Sequence, residues 1–217
     1  MGRLVAADFA VVKDAVAAVE RRSRGEVVPL VVDDADDYGW IRERGMLIGL
    51  VFGLALVEIY GFLRHWPVST RELGVFTIGG AFIGFAMAFA PGIARLLAGP
   101  GRLAANAHRR ALAEFTARGC AETRERTGIL VMVALFERRI EILADRGIQA
   151  VAIEREGTEV WSRVCSDFAR EASAGRAVEG LVRTIERLGD VLARHFPARP
   201  DDTNELSDEL RTEKSDD

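Results

Sequence analysis

Two stretches decide how this chain folds: MLIGLVFGLALVEIYGFL, Met46–Leu63, and LGVFTIGGAFIGFAMAFAPGIA, Leu73–Ala94. The first is apolar except for Glu58, and the second carries no charge at all. At ~1.5 Å of rise per residue, each crosses or nearly crosses a hydrocarbon layer ~30 Å thick. Only RHWPVSTRE separates them, so they are read as a transmembrane helical hairpin with spans of about 46–63 and 73–94. Glu58 is the objection. An ionisable side chain at mid-helix costs about 3 kcal/mol on insertion scales, whereas each Leu, Ile, Val or Phe returns roughly 0.3–0.6. Eleven such residues in the first stretch offset even a central charge. Glu58 also lies toward the outer end, beside Tyr60 and Trp66, within reach of the interface. Neither stretch has the polar stripe that a buried hairpin of a soluble protein would show.

Both stretches contain a GxxxG, Gly49/Gly53 in the first and Gly80/Gly84 in the second. Small residues one turn apart let helix backbones approach closely, which suits closure of the hairpin ahead of self-association or contact with another membrane protein. Arg42 and Arg44 precede the first span, and Arg95, Arg102, Arg109 and Arg110 follow the second. The connecting loop offers only Arg64 and Arg71. Positive charge stays inside, so a multi-pass protein of the inner membrane with both termini cytoplasmic is expected.

Outward from the hairpin the chain is dense in charge and alternates helix and strand patterns. Phe9, Val12, Val16 and Val19 recur at helical spacing, with Asp8 placed to cap. Glu26–Val32 reads as a strand, and Pro29 within it suggests an edge or a bulge. Beyond the hairpin, Leu103, Ala107, Ala111 and Phe115 mark a helix ending near Gly119. Gly128–Ala134 is a buried strand, Leu135–Arg138 a turn, and Arg139–Ala144 a third, antiparallel strand. Two helices close the domain, one with Val160, Trp161, Val164 and Phe168, the other with Val178, Leu181, Val182, Ile185 and Leu188. The fold class is therefore α/β: a small mixed sheet flanked by helices, interrupted by the hairpin. Residues 1–44 form its first part, 45–98 the hairpin, 99–196 the remainder, and 197–217 a disordered acidic tail. Strands one and two are expected to be parallel, with the hairpin spliced into their crossover.

Composition excludes several classes of function. A net charge of −4, with Lys only at positions 13 and 214, gives no basic surface for nucleic acid. The two cysteines, Cys120 and Cys165, stand alone and fit a reducing compartment. The three histidines (His65, His108, His195) share no spacing suited to zinc. No GxSxG, Walker loop or HExxH is present, and the N-terminus lacks the pattern of a signal peptide.

SRGEVVPLVV, RERTGILVMVALFERRIEILADRGI and GRAVEGLVRTIERLGDVLARHFPARPDDTNEL together resemble the TPM domain family, and in particular its bacterial branch with a transmembrane hairpin inserted in the domain. The resemblance covers nearly the whole chain and is most specific from the RTG to the ADRG. It implies the TPM fold. Members of the family include a thylakoid photosystem II repair protein and a nematode auxiliary subunit of an acetylcholine receptor, and phosphatase activity and divalent-cation binding have been proposed for some. A shared reaction follows much less directly than a shared fold.

Strand direction sorts the polar clusters to two ends of the sheet. Ser23, Gly25 and Glu26 join Arg124, Arg126 and Thr127, and Asp145, Arg146 and Gly147, at the end expected to lie away from lipid. There Glu26 and Asp145 are candidates to share a divalent cation or a proton, with Arg126 and Arg146 binding an anion such as phosphate; the alternative is a rim of turn residues joined by ion pairs. At the other end Asp33, Asp34, Asp36 and Asp37 form an oxygen-rich cluster suited to Ca²⁺ or Mg²⁺, or else a hydrated spacer. Two functions from different classes follow: a non-enzymatic accessory or assembly factor for another membrane protein, or a divalent-metal-dependent phosphatase.

Overall fold

The computed structural model describes residues 6–65, 67–157, 159–199, 206 and 211–213. Trp66, most of the acidic tail, and the side chains of Phe9 and Val160 lie outside the described residues. In chain order the elements are α1 (Ala6–Glu20), β1 (Glu26–Val32), α2 (Trp40–Arg64), α3 (Thr70–Met87), α4 (Pro91–Ala98), α5 (Pro100–Ala117), β2 (Gly128–Ala134), β3 (Arg139–Ala144), α6 (Arg146–Glu156), α7 (Val160–Ser173), α8 (Ala177–His195) and β4 (Arg211–Glu213). Contacts divide the chain into two compact units, residues 1–36 with 105–217, and residues 37–104.

The first unit is a mixed α/β sandwich around a small sheet of order β3-β2-β1-β4. β1 and β2 are parallel from Glu26↔Gly128 to Val32↔Ala134, and β3 returns antiparallel to β2 from Ala134↔Arg139 to Ile129↔Ala144. Both faces of β1 and β2 are covered, and every residue of these two strands is buried. That explains their continuous apolar runs, since a strand packed on two sides has no polar face to show. On one face Val27, Val31, Ile129 and Val133 meet Val12, Val16 and Val19 of α1 and Leu181, Ile185 and Leu188 of α8. On the other, Leu30, Leu130 and Met132 meet the alanines of α5, Ala107 and Ala111, whose small side chains let that helix lie close.

Pro29 sits inside β1 without a bulge, in register with Val131. The Glu26 amide donates to Thr127 O, so even-numbered residues of β1 turn their amides toward β2 and odd-numbered ones away. The amide that proline lacks therefore belongs on the open side of β1. There β4 pairs only with Leu30–Val32, one residue further on. Three residues of the tail thus complete the sheet, where composition alone indicates only a hydrated, disordered end. Asp8 lies within the first turn of α1 rather than ahead of it. A negative charge there still favours the helix N-terminus.

The second unit is built on α2 and α3. α2 runs 25 residues, ~37 Å, and is long and apolar enough to cross a membrane. The second stretch is not one helix. α3 ends at Met87, and α4 leaves at 100° to it, so the pair counts as one membrane-length element only if the bent halves are taken together. Proline explains the break. Pro91 disfavours helical backbone at the residue before it, and Ala90 is accordingly extended, with ψ of 120°. Pro91 itself opens α4, where its missing amide costs nothing.

The two helices meet through glycine. A Cβ on Gly49 would fall 2.1 Å from Gly80 O, and one on Gly84 would fall 2.2 Å from Gly45 O. No side chain fits between such backbones. Both GxxxG motifs therefore pack the two helices of one chain against each other. At the loop end Ser69 and Glu72 form a reciprocal capping box at the start of α3, and the Arg64 guanidinium lies 3.7 Å from Glu72.

Candidate functional site

The parallel pairing of β1 with β2, and the return of β3, bring Glu26, Thr127 and Asp145 to the same end of the sheet. Asp145 is 5% exposed and sits at the junction of β3 and α6. Its amide donates to Gly128 O at 2.9 Å, its carbonyl accepts the Gln149 amide, and its Oδ1 accepts the Arg146 amide at 2.6 Å. In sequence Asp145, Arg146 and Gly147 look like turn residues on a rim; in the structure α6 starts there, a helix that the pattern does not announce. Gly147 is forced by the neighbouring turn, since a Cβ there would lie 2.6 Å from Arg126 O.

Arg126 is held in left-handed backbone, φ +59°, where a non-glycine residue is uncommon. Its Nη1 donates to Ala121 O at 2.6 Å and lies 3.8 Å from Asp145 Oδ2. That Oδ2 is buried and makes no hydrogen bond among the described residues. Asp145 and Arg126 are thus brought together, as an ion pair with a buried acid and an exposed base. Arg146 is exposed beside them. Glu26, 7% exposed, points its Oε2 at the Leu206 amide, 3.3 Å away, and its own amide bonds to Thr127 O. Around this rim Glu125 accepts from Arg24 and, at 2.9 Å, from Arg199.

Glu26 and Asp145 are brought to one end of the sheet but not onto neighbouring strands. Gly128 stands between them on the middle strand, which places their backbones about 10 Å apart at ~4.8 Å per strand. Ca²⁺ or Mg²⁺ asks for six or more oxygens, several of them from carboxylates when the cage is protein. Among the described residues no three His, Cys, Asp or Glu side chains gather as such a group. The described residues at this end do not fit a divalent cation.

At the opposite end the four aspartates are strung along the exit from β1. Asp33 uses its carbonyl to accept the Phe136 amide at 2.8 Å, pinning the β2–β3 turn. Asp36 lies 3.5 Å from Arg109, and Asp37 Oδ1 accepts the Gly39 amide at 2.7 Å. Asp33, Asp36 and Asp37 are exposed and Asp34 half-buried. The residue that organises this loop is Glu137, within the Leu135–Arg138 turn: it is 5% exposed, and its Oε1 accepts the Ala35 amide at 2.9 Å.

A charged cleft of about 330 Å³ between α7 and α8 was also not legible. Asp167 pairs with Arg170 and Arg187, and Glu171 with Arg176 at 2.7 Å and Arg183 at 2.5 Å. The hydrogen bond from Arg176 holds the Glu171 carboxyl below the usual range, aided by the charges of Arg183 and Arg170. Four guanidiniums over two carboxylates leave the cleft positive. In sequence these residues lie on two helices at spacings that read simply as solvated faces.

Both thiols are shielded. Burial pushes Cys120 and Cys165 up to about 11, so neither is a nucleophile near neutral pH.

No family model matches the sequence, and no curated protein matches it. Among solved structures, the NMR structure of BA42 protein from the psychrophilic bacterium Bizionia argentinensis is similar, with a TM-score of 0.60 and 17% identity. The match covers 98% of this chain and 97% of that one. At such identity the likeness is one of fold, and no activity travels with it.

Proposed function

We propose that this chain is an integral membrane protein whose TPM-like α/β unit works at the cytoplasmic face as a non-enzymatic accessory or assembly factor for another membrane protein. One observation carries the membrane part. The buried residues of α2 are Ile41, Gly45, Gly49, Gly53 and Val57, mostly glycine, while Val51, Phe52 and Phe62 stand 64%, 62% and 80% exposed. A core helix of a soluble protein buries its large side chains and shows its small ones. This helix does the reverse. On α3, Ile78 and Phe82 are likewise more than 70% exposed. So much outward apolar surface is stable in hydrocarbon and a liability in water.

Orientation follows from arginine, which flanks the two helices at their outer ends in sequence and is sparse in their connecting loop. With α4 turned at 100°, α3 alone supplies ~27 Å of span, and α4 is suited to lie along the interface. The accessory role is supported by how the candidate carboxylates are used: Asp145 starts a helix, Glu26 receives the Leu206 amide, and Asp37 a turn amide. The protein is expected to sediment with membranes and to require detergent for extraction. A mild-detergent pull-down should then return a companion membrane protein at fixed stoichiometry. Recovery in the supernatant without detergent overturns the membrane assignment, and a pull-down that returns only this chain overturns the accessory role.

The alternative is a divalent-metal-dependent phosphatase. The buried Asp145 beside Arg126 favours it, and the lack of converging ligands among the described residues speaks against it. Turnover of a generic phosphate ester that depends on Mg²⁺ or Ca²⁺ and is lost in Asp145→Ala would establish it.

A further inference from the structure

The packing of α2 on α3 leaves a concave groove of about 570 Å³ along the pair. Its floor is glycine, where Gly49 and Gly80 bring the two backbones together. Ile48 and Phe52 form one wall, Gly79 and Ile83 the other, and Ile93 and Leu97 of α4 line it as well. Every lining residue is Gly, Ile, Leu, Val, Phe or Met, so no side chain in the groove offers a hydrogen bond. A water-soluble ligand has nothing to hold there. What remains is something thin, apolar and long.

One charge marks where that occupant ends. Arg44 is exposed, and its Nη1 donates to Leu97 O at 2.8 Å, beside a residue that lines the groove. A guanidinium carries five N–H donors in a planar fork suited to a phosphate. Arg42, whose guanidinium lies 5.5 Å above the Phe89 ring, adds a second cation on the same turn of α2. With the arginine end on the cytoplasmic side, these cations meet the leaflet that carries anionic lipid.

We propose that the α2–α3 groove holds one acyl chain of an anionic phospholipid, with the lipid phosphate at Arg44. The lipid site rests on the reading of residues 37–104 as a membrane hairpin. Gly79 gives the means to test it. A Cβ at Gly79 meets nothing within 4 Å, yet Gly79 lines the groove, so a larger side chain fills the lipid's place without touching the helix contact. Gly74 is equally open, on the same helix, and does not line the groove.

The full chain, extracted in mild detergent, is to be examined by native mass spectrometry for retained lipid, then titrated with phosphatidylglycerol and with phosphatidylethanolamine. The wild type should retain one phospholipid per chain and prefer phosphatidylglycerol. Gly79→Leu should weaken binding several-fold, because its side chain occupies the space where the acyl chain would make its packing contacts. Gly74→Leu should bind as the wild type does. Arg44→Gln should lose about fivefold toward phosphatidylglycerol and little toward phosphatidylethanolamine. Equal lipid retention by Gly79→Leu and Gly74→Leu, or indifference of Arg44→Gln to headgroup charge, overturns the site. So does a dimer mass abolished by Gly79→Leu, which would put a second copy in the groove. A chain that needs detergent yet carries no lipid defeats the groove alone, whereas one soluble without detergent defeats the membrane hairpin and the groove with it.

Discussion

The two units of this chain place their glycines and their large side chains in opposite ways. In the α/β unit Leu30, Ile129, Leu130 and Ile185 are fully buried, and glycine serves tight passages between strands and turns. In the unit of residues 37–104 glycine is the interior, and Phe52, Phe62, Ile78 and Phe82 point out. The first arrangement is driven by removing apolar surface from water. The second gains nothing that way, because its large side chains stay outside; it is held by backbone-to-backbone packing, which works where the surroundings are as apolar as the side chains. On the membrane reading proposed above, which residues lie inside reflects the surroundings of each unit.

The hardest blow to this contrast is struck at the glycine seam. Gly49→Leu and Gly80→Leu would each drive a side chain into a backbone carbonyl, 2.1 Å and 2.3 Å from the new Cβ. Backbone cannot yield as a flexible side chain does, so each is expected to cost about 3 kcal/mol or more and to separate the helices. Thermal melting in detergent, with a cysteine pair across α2 and α3 as crosslinking reporter, measures it. Gly74→Leu, facing open space, should stay within about 0.5 kcal/mol of the parent. Similar melting of the Gly49 and Gly74 variants would mean that glycine is merely abundant in these helices, and the contrast between units would collapse.

A smaller effect sharpens the water-excluding character of the α/β unit. Cys120 is fully buried, and burial raises its thiol from the ordinary range near 9 to about 11. The folded state therefore keeps its proton at pH values where the unfolded chain has released it. Stability from this source is intact below pH 9 and declines from pH 9 to 11, by roughly 3 kcal/mol for this one thiol. Cys165, raised to about 11 by the same desolvation, acts in the same direction. Alkylation of both thiols should be slow in the folded protein at pH 8 and rapid once denaturant is added. Fast labelling of Cys120 without denaturant would show that water reaches this core.

Much of the architecture is written plainly in the chain because it rests on unbroken apolar runs and local periodicity. Glu26–Val32, Gly128–Ala134 and Arg139–Ala144 are the strands expected, to the residue, and the two apolar stretches give the paired helices. What escaped depends on partners distant in sequence. The break at Pro91 was masked by the hydrophobicity around it. The strand Arg211–Glu213 is polar, and only its place beside Leu30–Val32 makes it a strand. α6 begins at a block whose Gly147 is explained by Arg126 O rather than by a turn of its own. The candidate site fared likewise. The strand directions bring Asp145, Arg126 and Glu26 to one end, but the separation of Glu26 from Asp145 by a whole strand is visible only in register. Glu137 and the α7–α8 arginines had no short-range signal.

Asp145 gives the finest test, because it asks whether a buried charge in the α/β unit has any role beyond geometry. As the residue that starts α6, it needs only an oxygen facing the Arg146 amide. Asparagine supplies one, alanine does not. Asp145→Ala should therefore cost about 1 kcal/mol, the usual loss of a cap, and Asp145→Asn a few tenths. The ion pair adds little to this, since Arg126 is 61% exposed at its side chain and 3.8 Å away, and such pairs rarely exceed about 1 kcal/mol. Urea unfolding of the two variants at neutral pH distinguishes the cases. Should Asp145→Asn cost as much as Asp145→Ala, the negative charge itself is needed at Oδ2. That buried oxygen, without a hydrogen bond among the described residues, would then be held by its charge, and the pairing with Arg126 would contribute more than so exposed a partner usually does.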